Sequence, residues 1–307
     1  MTTAGTPPQV RVKTGRSTPL TAKDFKGKVD PDWCVGCGDF GVLRSLQKAC
    51  ADLGLQPHEI LTVSGIGCSS NLPGYFGSYG MHTLHGRALA VATGAKLANH
   101  ELTVIATGGD GDGYGIGGNH FVHTARRNVD LTYIVMNNQI YGLTTGQISP
   151  TSRVGMKTKS TPFGSVEPPL NPLTSAMMSG ATFVARGFSG DPKHLTELIT
   201  KAIEHRGFAL IDIFSPCLTF NHDNDFPFFK QRVKRLEDEN HDVTDWKSAC
   251  EKAMLWGDTI YTGLFLQITD AQTLGDAEPV LDKGGPLAFR PLGMSQDQSK
   301  RILERMM

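Results

Sequence analysis

A doubly wound α/β fold, a mostly parallel sheet with helices on both faces, is predicted for this 307-residue chain by two rhythms and one spacing. Short apolar runs at Ile60 to Val63, Leu102 to Thr107, Leu131 to Met136, Thr182 to Ala185 and Ala209 to Phe214 alternate with helical patterns. Parallel strands need crossovers long enough to hold a helix, so this alternation is their signature. Within one crossover, Pro192 to Glu204, the apolar residues Leu195, Leu198, Ile199 and Ile203 return at helical period on one face. Finally, Gly109-Asp110-Gly111 closes one run and Asn137-Asn138 the next, with 25 residues between them. Both fall at strand carboxyl ends, where open α/β sheets bind their ligands.

In chain order, residues 1–28 are polar, with Thr, Gly, Pro, Lys and Arg and no apolar core of a signal peptide, so they read as an arm or partner-clasping extension of a cytoplasmic protein. Residues 29–225 form the predicted binding domain. It begins with the turn Cys34-Val35-Gly36-Cys37-Gly38 and a helix whose face is Phe40, Leu43, Leu46 and Leu53, which places Cys50 in the core. Ala88 to Ala98 reads as a helix, as does Gly118 to about Arg127. Thr151 to Asn171, rich in Thr, Ser, Pro and Lys, reads as a long loop, a kind of segment that is often functional. Residues 226–307 form a helical and coil extension, a lid or a contact between subunits, without strand rhythm. Its expected helices are Lys230 to Glu239 and Val243 to Leu255, with Cys250 in the second, then Gly/Pro-rich coil to Pro291 and a short helix capped near Ser295.

Thirty basic and thirty acidic residues cancel, which argues against nucleic acid and anionic membrane as partners. No run approaches the roughly eighteen apolar residues of a membrane span.

The chemistry concentrates in two motifs. Gly109 and Gly111 let the backbone approach a diphosphate without a Cβ in the way. Asp110 offers a hard anionic oxygen, Asn138 a neutral one, and the carbonyl of Ile140 faces the same point, a donor set suited to Mg²⁺ shared with phosphate. Asp112 duplicates the acidic option, but Asp110 lies nearer the strand end. The second motif is cysteine: Cys34 and Cys37 share a turn, while Cys68 in Gly67-Cys68-Ser69 and Cys217 in Ser215-Pro216-Cys217 also lie in loops. Four thiolates accept either zinc or an iron–sulfur cluster, and spacing alone leaves both open. In a cytosolic protein structural disulfides are improbable.

With these residues in place, the chain resembles the beta subunits of 2-oxoacid:ferredoxin oxidoreductases. The resemblance runs from about Asp32 to Asp225 through Trp33-Cys34-Val35-Gly36-Cys37-Gly38, Gly65-Ile66-Gly67-Cys68-Ser69, His82-Thr83-Leu84-His85-Gly86-Arg87 and Gly109-Asp110-Gly111-Asp112-Gly113, and on through Asn137-Asn138-Gln139-Ile140-Tyr141-Gly142-Leu143-Thr144-Thr145-Gly146-Gln147. It implies a thiamine diphosphate-binding fold, with Cys34, Cys37, Cys68 and Cys217 holding a [4Fe–4S] cluster and Asp110, Asn138 and the Ile140 carbonyl holding Mg²⁺. Further cofactor contacts are implied at Gly109, Gly111, Asp112, Gly142, Leu143, Thr144, Cys68 and Ser69, with Leu143 beneath the thiazolium, and substrate or cofactor contacts at His82, His85 and Arg87.

The implied reaction is a reversible, coenzyme A-dependent oxidative decarboxylation of a 2-oxoacid, with electrons passing through the cluster to ferredoxin. An alpha subunit supplies the carboxylate that acts on the aminopyrimidine and helps to bind coenzyme A. 2-Oxoglutarate is the expected substrate, from the Gly142 to Gln147 loop, and pyruvate the alternative. Asn71 and Thr145 stand where some relatives carry lysine, which keeps the oxoacid open. Two other readings are a non-oxidative thiamine enzyme with structural zinc and a non-enzymatic iron–sulfur protein.

Overall fold

In the computed structural model, which describes residues 19–282, 285–291 and 293–306, eight strands form one sheet. They are β1 (Ile60–Ser64), β2 (Tyr79–His82), β3 (Thr103–Gly109), β4 (Leu131–Asn137), β5 (Phe183–Phe188), β6 (Phe208–Phe214), β7 (Val233–Arg235) and β8 (Ile260–Gln267), in the order β2-β1-β3-β4-β6-β5-β8-β7. Every pairing is parallel except β5 with β8. The chain adds β2 on one side of β1 and β3 on the other, so the strand order reverses between β1 and β3 and a crevice opens at their carboxyl ends.

The helices are α1 (Asp39–Asp52), α2 (Leu72–Tyr75), α3 (Ala88–Ala98), α4 (Gly118–Arg126), α5 (Pro172–Met178), α6 (Pro192–Glu204), α7 (Phe226–Arg232) and α8 (Trp246–Met254), followed by short turns and a final helix at Gln296–Met306. They cover both faces, as the sequence predicts. On one face Val42, Leu46 and Cys50 of α1 and Leu195, Leu198 and Ile199 of α6 pack on Ile105, Ile134 and Ile211. On the other, Leu89 of α3, Phe121 of α4, Leu173 of α5 and Ala249 of α8 pack on Val104, Tyr133 and Leu210. Strands buried on both faces read as continuous apolar runs, which is why β1, β3, β4, β5 and β6 are visible in the sequence.

Two expectations are corrected. The region after residue 225 is not strandless: β7 and β8 extend the sheet, and Lys230 to Glu239 is the end of α7, then β7, then a 3₁₀ turn at Leu236–Glu239. The apolar run of β8 is interrupted by Gly263 and lacks alternation, so periodicity does not separate it from coil. The helix expected from Gly118 to about Arg127 is α4, and a wide π-type turn at Gly111–Ile116 precedes it. Of the expected arm, residues 1–18 lie outside the described residues. Among the described residues no helix is long and apolar enough to cross a membrane.

At the amino ends of β5 and β6 a buried histidine links two elements. His205, at the end of α6, places Nε2 2.8 Å from Thr182 Oγ1, and the Thr182 hydroxyl donates to Asn128 Oδ1 at 2.8 Å. Burial pushes the His205 pKa down to about 4. An unfolded histidine titrates near 6.5, so between these values the unfolded chain binds the extra proton and stability falls as pH falls. His205→Gln keeps an N–H donor but does not titrate. Thermal unfolding across pH 7 to 5 is therefore expected to cost the wild type about 2 kcal/mol more than this variant by pH 5; parallel pH profiles would refute the assignment.

Candidate active site

Three loops carrying the turn-borne cysteines are tied together by backbone contacts. The Cys34 to Cys37 turn closes through the Cys37 N–H to the Cys34 carbonyl at 3.0 Å, and the next N–H, of Gly38, donates to Pro216 O at 3.1 Å. The chains approach so closely here that a Cβ on Gly38 would lie 2.7 Å from Ser215 Cα. Trp33 Nε1 donates to the Cys68 carbonyl at 2.6 Å, which brings in the loop after β1. The Sγ atoms of Cys68 and Cys217 each lie 3.7 Å from the point where Gly142 would carry a Cβ, and Asn138 Nδ2 lies 3.6 Å from that point. The thiol loops and the Asn138 turn thus share one crevice.

Its electrostatics favour cations. Burial pushes the Cys37 thiol far up, Cys217 up, and Cys68 up to about 11. Asp39 and neighbouring thiols push Cys37 and Cys68 further in the same direction. Thiols in such surroundings ionise only with a compensating positive charge, as a bound metal provides. Burial also raises Asp39 to about 6, relieved in part by the Ser215 hydroxyl, which donates to Asp39 Oδ1 at 2.5 Å, and by the Cys37 thiol. All six cysteines are free, and Cys50 and Cys250 lie apart from the group, in α1 and in α8 against Met177. Among the described residues no three His, Cys, Asp or Glu side chains stand close enough to ligate a single ion.

The two aspartates of the glycine turn have different surroundings. Asp110, 1% exposed, is raised to about 6 by burial, offset by the hydroxyls of Ser149 and Thr151, the latter donating to Oδ2 at 2.6 Å. Asp112 accepts from the N–H groups of Ile66 at 2.9 Å and Gly86 at 2.7 Å through one oxygen, Oδ1. It therefore tethers the loops after β1 and before α3, and its Oδ2 is buried without a hydrogen bond. Gly111 is required by contact, because a Cβ there would run into the Tyr141 ring, whose hydroxyl donates to the Gly111 carbonyl at 2.8 Å.

Asn138 Oδ1 turns back to accept from the Ile140 N–H at 3.0 Å, and Asn221 Nδ2 donates to the Asn138 carbonyl at 2.9 Å. Gly142, Leu143 and Thr144 occupy a tight turn closed by Tyr141 and Gln147, with Leu143 half exposed at its tip. Ser69 Oγ lies 3.2 Å from the Cβ position of Gly109, so the loop after β1 meets the end of β3. His85 Nδ1 sits 2.9 Å from Asp112 Oδ1 but off the hydrogen-bonding direction. His82 Nδ1 contacts Ser64 Oγ at 3.0 Å and Ser70 O at 3.1 Å. Arg87 Nη1 contacts His120 Nε2 at 2.5 Å, on the exposed side of α3 and α4.

Sequence reasoning misses Asp39, which bonds to the Cys37 thiol, Ser149 and Thr151, which bond to Asp110, and Ser215, which bonds to Asp39. Ser215 is visible only as a neighbour of a motif residue, and Asn137 is read as part of its motif with no contact assigned to it. Ser149 and Thr151 lie at the start of a segment that merely reads as a loop.

With this geometry in hand, comparisons with known proteins are specific. Residues 65–213 match the family model of the thiamine pyrophosphate enzyme, C-terminal TPP binding domain, and residues 217–283 match the family model for the C terminal of the pyruvate ferredoxin oxidoreductase beta subunit. The chain is 42% identical to 2-oxoacid:ferredoxin oxidoreductase 1, subunit beta, of Aeropyrum pernix, over 92% of this chain and 95% of that protein. It is 49% identical to the corresponding beta subunit of Saccharolobus solfataricus, over 77% and 81%. A solved 2-oxoglutarate:ferredoxin oxidoreductase from Magnetococcus marinus, with 2-oxoglutarate, coenzyme A and succinyl-CoA bound, has a chain of TM-score 0.85 and 44% identity, covering 95% of this chain and 99% of its own.

The close contact at Gly38 predicts an outcome. Gly38→Ala is expected to lose about 1–3 kcal/mol of stability by overpacking, whereas Gly74→Ala, with open space at its Cβ position, serves as a control. Equal unfolding midpoints for the two variants would show that the Cys34 turn and the Cys217 loop are not held at that distance.

Proposed function

This chain belongs to the beta subunits of the 2-oxoacid:ferredoxin oxidoreductases, and from that premise we propose that it binds thiamine diphosphate, Mg²⁺ and a [4Fe–4S] cluster and, with an alpha subunit, oxidises 2-oxoglutarate to succinyl-CoA and CO₂. The observation that carries this reading is the shared crevice: the Cys68 and Cys217 thiols and the Asn138 amide lie around Gly142, at the carboxyl ends of strands whose order reverses there. A diphosphate-binding site and an electron acceptor must lie close together for single electrons to leave the cofactor, and this arrangement puts the two donor sets side by side.

Asp110, Asn138 and the carbonyl of Ile140 would hold Mg²⁺, and the wide turn at Gly111 would present backbone N–H groups to the diphosphate. Cys34, Cys37, Cys68 and Cys217 would hold the cluster, whose bound iron would supply the positive charge that the thiols of Cys37, Cys68 and Cys217, raised by burial, need in order to ionise. When bound, thiamine diphosphate supplies the carbanion chemistry of decarboxylation. The chain's own residues bind and orient. Asp112 fixes the loops that carry Ile66 and Gly86, while Leu143, half exposed, would support the thiazolium end and His82, His85 and Arg87 would make substrate or cofactor contacts. Coenzyme A and the carboxylate facing the aminopyrimidine are assigned to the alpha subunit, and ferredoxin is the electron acceptor.

2-Oxoglutarate is preferred because the solved relative of 44% identity is a 2-oxoglutarate enzyme. Pyruvate is the second reading, favoured by the family match at residues 217–283.

Anaerobic purification of the chain with its alpha subunit is expected to give a brown protein with iron and labile sulfide that reduces ferredoxin with 2-oxoglutarate and coenzyme A faster than with pyruvate. A colourless, zinc-containing protein, or faster turnover with pyruvate, would overturn the corresponding part. Replacing Cys34, Cys37, Cys68 or Cys217 by serine should lower iron content, because a hydroxyl is a poor exchange for a soft thiolate, while Cys50→Ser and Cys250→Ser should retain it. The isolated beta chain should not turn over until the alpha subunit is added.

A further inference from the structure

We propose that Thr151 is a positioning residue of the cofactor site: its hydroxyl orients Asp110 toward the magnesium–diphosphate, and a buried polar chain that ends at Arg186 fixes the Asn137 amide oxygen, an acceptor, beside that hydroxyl. This rests on the reading of Asp110 as a magnesium ligand. It adds a residue outside both motifs and a support that reaches across the sheet.

Thr151 Oγ1 lies 2.6 Å from Asp110 Oδ2 and 3.0 Å from Asn137 Oδ1, both acceptors. A hydroxyl has one proton, and the anionic oxygen at the shorter distance is the stronger claimant. Asn137 Oδ1 is supplied instead by the Gln139 N–H at 3.2 Å. The orientation of the Asn137 amide is fixed from its other end, where Nδ2 donates to Asp212 Oδ1 at 3.0 Å, since a carboxylate only accepts. The same oxygen accepts the Tyr114 hydroxyl at 3.0 Å, and Arg186 Nε stands 3.7 Å from Asp212 Oδ2. Thr151, Asn137, Tyr114, Asp212 and Arg186 are all at most 5% exposed, so water does not compete for these bonds.

The backbone around Thr151 is clamped as well. Ser152 Oγ donates to the Gln139 carbonyl at 2.7 Å and Ser149 N–H donates to Ser152 Oγ at 2.8 Å. The hydroxyl is therefore delivered by a fixed turn, the kind of outer hydrogen bond that sets the orientation of a metal-ligating carboxylate. Held at Oδ2, the Asp110 carboxylate keeps one rotation before the ion arrives.

The test uses the full chain co-purified with its alpha subunit and stripped of cofactor. Calorimetric titration with thiamine diphosphate at graded Mg²⁺ compares the wild type with Thr151→Val, which keeps the shape and loses the hydroxyl, and with Thr151→Ser, which restores it. Thr151→Val should raise the Mg²⁺ concentration needed for half-maximal binding about 10- to 100-fold, Thr151→Ser should follow the wild type, and unfolding of the three stripped proteins should coincide. Wild-type affinity in Thr151→Val, or equal weakness in Thr151→Ser, would overturn the proposal while leaving the cofactor reading intact. A Thr151→Val defect matched by an equal loss of stability in the stripped protein would make the residue structural and overturn it too. Failure of the wild type itself to bind thiamine diphosphate with Mg²⁺ would overturn both.

Discussion

Four strand ends are held to one another by a single buried carboxylate. Asp212 on β6 accepts from Asn137 at the end of β4 and from Tyr114 in the turn after β3, and faces Arg186 on β5. Burial works against both charges, raising the Asp212 pKa and lowering that of Arg186, while their mutual attraction and the two hydrogen bonds oppose it. The guanidinium also stacks over Phe214 at 5.2 Å and Phe265 at 5.6 Å. Removing one partner of such a buried pair typically costs about 3–5 kcal/mol, because the other charge is left without compensation. Because Asp110, Asn138 and Cys217 sit on the loops immediately beyond β3, β4 and β6, their placement depends on this pair.

Around that anchor the crevice gathers acidic groups that burial makes costly to ionise. Asp39 and Asp110 are both raised to about 6 by burial, and the thiols of Cys37, Cys68 and Cys217 are raised as well. Surroundings of this kind are costly to charge without cations, and the proposed magnesium–diphosphate and iron–sulfur cluster would bring cations to both halves. Asp112 has a different task. Its hydrogen bonds to Ile66 and Gly86 make it the hinge pin between the loops after β1 and before α3. Two aspartates two residues apart thus divide into a candidate ligand and a tether, because the wide turn at Gly111–Ile116 aims them in different directions.

The amino-acid sequence by itself determined the five central parallel strands, the helices on both faces and the motif positions at strand ends. These follow from local pattern: strands buried on both sides are continuous apolar runs, and a glycine turn beside an acidic residue has few uses at the end of one. The edge strand β2 (Tyr79–His82) is exposed along its length and gives no such signal. β8 is buried but interrupted by Gly263, and its antiparallel pairing with β5 depends on where the chain returns after α8. Only the tertiary structure decided that Gly38 approaches Ser215, that Thr151 reaches Asp110, and that Arg186 lies behind Asn137. The residues of these pairs are 41 or more positions apart. Periodicity and propensity act over a turn or a strand, whereas the partner of a buried polar atom is chosen by how the sheet brings distant strand ends together.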